Sequence, residues 1–129
     1  MPGEKAKVLV VPERHEENPY YVRVPSREFL DSVARYIHLN AFVQIVRHDG
    51  IIALMDEEPF AHGMGDNTLA SNLLSRLWGE RTIMFKGNVV IARYREDREG
   101  FYLTDAPINA EGYLKRMGIA HIEERANGK

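Results

Sequence analysis

The sequence predicts an α+β domain, a mainly antiparallel sheet with about three helices packed on one face, in the order β-β-α-β-β-α-β(β)-α. Three observations carry that expectation. Short β-branched runs alternate with amphipathic stretches at helical spacing. The dipeptide Asp49-Gly50 joins two extended runs, so at least one pair of strands is antiparallel. The 129 residues fit one domain of the usual ~100–200, with 118–129 read as a frayed, polar tail.

Lys7 to Pro12 is the first strand, closed by a proline that cannot donate to a ladder. A charged, turn-rich loop carrying His15 leads to a second strand, Tyr20 to Val24. Ser26 is placed to cap a helix in which Phe29, Leu30, Val33, Ala34 and Ile37 form the apolar face. His38-Leu39-Asn40 is its exit, with Asn40 suited to a left-handed terminus. Ala41–Arg47 and Ile51–Asp56 form a hairpin, because Asp-Gly tolerates the positive φ values of a type I′ turn.

After a loop, Asp66 or Asn67 caps a helix with Leu69, Leu73, Leu74, Leu77 and Trp78 on one stripe, ended by Gly79. Thr82 to Tyr94 reads as one long bent strand or as two strands joined at Gly87-Asn88. Phe101–Leu103 is a short strand. A last helix starts between Thr104 and Asn109 and runs to Met117, with Ile108, Tyr113, Leu114 and Met117 inward.

Composition narrows function mainly by exclusion. There is no cysteine, hence no disulfide framework and no thiolate nucleophile or ligand; a reducing cytoplasm is the expected setting. The longest apolar run, Ile51 to Met55, falls far short of the ~20 residues of a membrane span, and the N-terminus reads as a strand and not a signal peptide. Net charge is −2. Residues 41–80 hold two basic residues against six acidic ones, and residues 81–129 nine against seven. That is not the strongly basic domain of a nucleic-acid binder.

The ligand-type side chains gather in the loop Asp56, Glu57, Glu58, His62 and Asp66. A metal site there is set aside, with no cofactor expected, because neighbouring carboxylates on a continuing strand point apart and Asp66 and Asn67 are better read as caps. No Mg²⁺ or Mn²⁺ effect is expected. No catalytic residue is assigned: no serine lies in a G-x-S-x-G elbow, and Ser71 and Ser75 sit on a helix face. Gly63 and Gly65 precede a helix, but the phosphate-loop patterns are incomplete and Asp66 opposes an anion. His15, His38, His48 and His121 carry no pattern, and Trp78 belongs to a core stripe.

The leading expectation is a protein partner, met by Asp56, Glu57, Glu58, Phe60, His62, Met64 and Asp66 as apolar anchors among acidic residues. The competing reading folds Phe60 and Met64 onto the core. The alternatives are nucleic-acid contact through Arg81, Lys86, Arg93, Arg95 and Arg98, and a small metal-dependent enzyme using the 56–67 loop.

A family resemblance adds setting. Asp49-Gly50, Asp56-Glu57-Glu58, Gly63 or Gly65, Asn67 and the later Leu103-Thr104-Asp105 together resemble a family of small proteins of unknown function found in bacteriophages and bacterial mobile elements. The likeness spans roughly Lys7 to Met117. Pro59 stands where the family tends to have glycine, and Thr68 where it tends to have arginine. The resemblance implies a phage or mobile-element origin and a bacterial cytoplasm, and no chemistry.

Overall fold

Strand β1, Lys5–Val11, determines the architecture because its two alternating sets of side chains are both buried. The computed structural model describes residues 4–14, 16–38 and 42–126. Val8 and Val10 lie in one apolar cluster, and Leu9 and Val11 in another on the opposite face. Around β1 the chain adds β2 (Tyr20–Pro25), α1 (Leu30–Ile37), β3 (Val43–His48), β4 (Ile51–Asp56), α2 (Thr68–Trp78), β5 (Val89–Asp97), β6 (Gly100–Thr104), α3 (Ala110–Arg116) and β7 (Glu123–Glu124). The sheet order is β3-β4-β5-β1-β2-β7, with β6 also paired to β5. Every pairing is antiparallel except that of β2 with β7. The α+β class and the element order agree with the expectation from sequence.

The helices do not share one face. Phe29, Val33 and Ile37 bring α1 onto Val8, Val10, Ile52, Leu54 and Val90. Ala70, Leu73 and Leu74 of α2, with Ala110 and Leu114 of α3, cover Leu9, Val11, Ala53, Val89 and Ile91 on the other side. The physical reason is legible in retrospect: VLVV, IIALM and VVIA are continuous apolar runs, the pattern of strands covered on both faces.

The hairpin forms as expected. Asp49 and Gly50 both take positive φ, 53° and 80°, and His48 pairs with Ile51 across the turn. Four other expectations are corrected. Ser26 caps nothing: its hydroxyl donates to the Leu103 carbonyl and its own carbonyl accepts the Leu103 N–H at 2.9 Å, so it joins the end of β2 to β6. Helix α1 therefore starts later, without a side-chain cap.

Residues 82–88 are not strand, because Phe85 is drawn into the core with its N–H on Ser71 Oγ at 2.8 Å. The last helix begins at Ala110 with Asn109 at its N-cap position, the later of the expected starts, and Ile108 does not point inward. Asp105 and Ala106 are tied to β1 through Lys7, at 2.8 Å in each direction, which holds the preceding chain extended and leaves Ile108 86% exposed. The segment from Gly118 is not frayed as far as Ala126: Ile119 and Ile122 pack on the second cluster, and the Arg125 N–H donates to the Tyr21 carbonyl at 2.8 Å. His15, Leu39, Asn40, Ala41 and residues 127–129 lie outside the described residues.

Candidate functional site: the loop from Asp56 to Asp66

Asp56 is the last residue of β4, and alternation with Ile52 and Leu54 points its side chain toward the α1 face. Its carboxylate is fully buried. One oxygen accepts the Glu58 N–H at 2.7 Å, an Asx turn that bends the chain out of the strand. The Glu57 N–H donates to the Phe42 carbonyl at 2.9 Å, anchoring the loop to the chain just before β3. From there the loop bonds to itself: His62 N–H to Glu58 carbonyl at 3.3 Å, Gly63 to Phe60 at 3.2 Å and Met64 to Pro59 at 2.9 Å. This near-helical turn carries His62 back over the strand end.

The result is a cluster of which the sequence suggested two members, Asp56 and His62, but not His38. His62 Nδ1 lies 2.5 Å from the second Asp56 oxygen. The His62 ring stacks on His38, centroids 4.4 Å apart and planes 9° apart. His38 is delivered by the end of α1, where its N–H donates to the Ala34 carbonyl at 2.9 Å. One ligand-type atom from each of His38, Asp56 and His62 falls within 4.8 Å of the others. Glu57 and Glu58 are exposed, whereas Asp56 and His62, expected not to form a metal site, converge. Among the residues described, this is the one grouping that could hold a metal ion.

Of the seven residues expected to meet a partner, Asp56 is enclosed and not available to one. Met64 is half-buried against Gly87, whose positive φ of 73° and missing side chain make room: a Cβ there would stand 2.5 Å from Met64 Sδ. Phe60 does not fold onto the core. It is 79% exposed, with the Lys86 ammonium 4.9 Å over its ring. Lys86 also pairs with Asp66. Phe42, next to the loop's anchoring point, is 76% exposed. At the far end Asn67 caps α2, accepting the Ala70 N–H at 3.0 Å, and it donates to the carbonyls of Val11 and Gly87 at 2.9 and 2.8 Å.

The candidate nucleic-acid residues do not form one patch. Lys86 precedes β5 and is engaged by Asp66, whereas Arg98 lies in the turn beyond the other end of that nine-residue strand, a span of ~30 Å. Arg93 and Arg95 share a strand face and line an open groove of about 540 Å³ with Asp49, Thr104 and Asn109. Arg93 also donates to the Asp105 carbonyl at 3.3 Å. Arg81 is exposed on the segment after α2. No described helix is long and apolar enough to cross a membrane. Compared with known proteins, the chain matches no family model, no curated protein and no solved structure.

Proposed function

We propose that this chain is an accessory protein that acts by docking a protein partner through the Asp56–Asp66 loop, with Phe60 as the anchor. The observation that supports the reading is a large aromatic side chain held 79% exposed on a loop that is already hydrogen-bonded internally. Binding through such a loop avoids most of the cost of ordering it. Isolated exposed apolar residues are ordinary, but Phe42 is bonded through its carbonyl to Glu57, three residues before Phe60, and Phe42, Glu57, Glu58 and Phe60 are all exposed. An aromatic centre with an acidic rim fits a partner surface that offers an apolar pocket ringed by lysine or arginine. The bacterial cytoplasm of a phage- or element-carrying host is the setting we infer from the family resemblance.

The test is capture from a lysate of that host, followed by binding kinetics with the protein so recovered. Phe60→Ala should weaken binding at least tenfold, mostly through dissociation. Glu57→Lys with Glu58→Lys should slow association and reduce its dependence on salt. All three positions are exposed, so the variants should fold. Unchanged affinity and on-rate in both would remove the loop from the interface.

A further inference from the structure

We propose that His38, Asp56 and His62 bind a divalent transition-metal ion of the Zn²⁺, Co²⁺ and Ni²⁺ class, tying the end of α1 to the loop after β4. This site does not depend on the docking role. Three observations carry it.

The first is convergence from three separate places in the chain: a helix end, a strand end and a loop turn deliver one donor atom each to within 4.8 Å. Four-coordinate ions of this class hold nitrogen and oxygen ligands at ~2.0–2.2 Å, so ligand atoms lie about 3.3 Å apart. Reaching that arrangement requires the Asp56–His62 contact to open from 2.5 Å and the His38 and His62 rings, stacked with planes 9° apart, to rotate until their in-plane lone pairs converge. His38 is exposed and the His62 side chain is partly so, which leaves both rings room to turn, while Asp56 stays fixed.

The second is support behind the ligands. The Asp56 carboxylate is fully buried, and its other oxygen accepts the Glu58 N–H at 2.7 Å. A ligating carboxylate held in this way keeps one oxygen aimed at the site. His62 Nδ1 and Asp56 share one hydrogen bond. An ion would replace this hydrogen bond, with His62 ligating through Nδ1 as a neutral imidazole that carries its proton on Nε2.

The third is donor chemistry. Two imidazoles and one carboxylate suit borderline ions, whereas Mg²⁺ and Ca²⁺ favour sites made of oxygen. Three protein ligands also leave a fourth position for water.

The experiment uses the untagged, chelator-treated full chain, titrated with Zn²⁺ by calorimetry and with Co²⁺ by visible absorption, with Mg²⁺ as the control. One ion per chain should bind with a Kd below about 100 µM, Mg²⁺ should not bind, and the melting temperature should rise with Zn²⁺ concentration. His38→Ala and His62→Ala should each weaken binding at least tenfold, while His48→Ala and His121→Ala leave it unchanged. Because Asp56 is buried, its Asn variant is scored only if circular dichroism finds it folded, and the two histidines decide the matter. A Kd above that limit, or binding that survives both His38→Ala and His62→Ala, would overturn the proposal.

Discussion

Asn67 sits at the junction of loop, helix and sheet, and its three hydrogen bonds are all buried. An N-cap alone contributes about 1 kcal/mol. Asn67→Ala also strands the buried carbonyls of Val11 and Gly87, each carrying a desolvation penalty of ~1–3 kcal/mol if left unpaired. The substitution should therefore destabilise the fold by about 3 kcal/mol or more in urea unfolding. A loss confined to ~1 kcal/mol would mean that water takes over the two carbonyls. Asn67→Asp should retain the cap but set a buried carboxylate oxygen against the Val11 and Gly87 carbonyls, so it should destabilise at least as much as alanine.

At the scale of elements, α3 is held to β2 by a half-buried hydroxyl. Tyr21 donates to the Glu111 carboxylate at 2.9 Å. Burial first, and then that carboxylate, push the Tyr21 pKa well above its ordinary value near 10. The folded state thus holds this proton more tightly than the unfolded chain does. Stability from this contact is complete below about pH 10 and declines as pH rises further, because the unfolded chain ionises first. Tyr21→Phe should flatten that alkaline decline in melting temperature measured from pH 8 to 11. An unchanged slope would assign the decline to other groups, Tyr20 and Tyr36 being raised by burial in the same way.

At the scale of the whole molecule, the sheet is a shared wall between two cores. Leu9 faces α2 and α3, Leu54 faces α1, and both are fully buried. Leu9→Ala and Leu54→Ala should each cost about 2–5 kcal/mol by urea denaturation. Lying on opposite faces, they should be close to additive in the double variant. A sheet covered on one side would lose stability from only one of them. The same two-sided arrangement brings the end of α1 over the end of β4, and so His38 over Asp56.

What the sequence determined by itself is whatever a few neighbouring residues decide. Asp49-Gly50 made the hairpin, since two consecutive positive φ values suit few other pairs. Asn67 and Gly79 bounded α2 through bonds to their own helix, and Asp56, Glu57 and Glu58 marked where the strand leaves the sheet. Tertiary structure decided the rest. Ser26 has the chemistry of a cap, yet Leu103, distant in sequence, claims its hydroxyl. Phe60 was left exposed because the loop satisfies its own backbone and Lys86 covers the ring face. His38 had no local pattern to distinguish it. It meets Asp56 and His62 only because α1 packs across the face to which Asp56 points, and a contact set by the docking of a helix on a sheet leaves no mark in the spacing of residues.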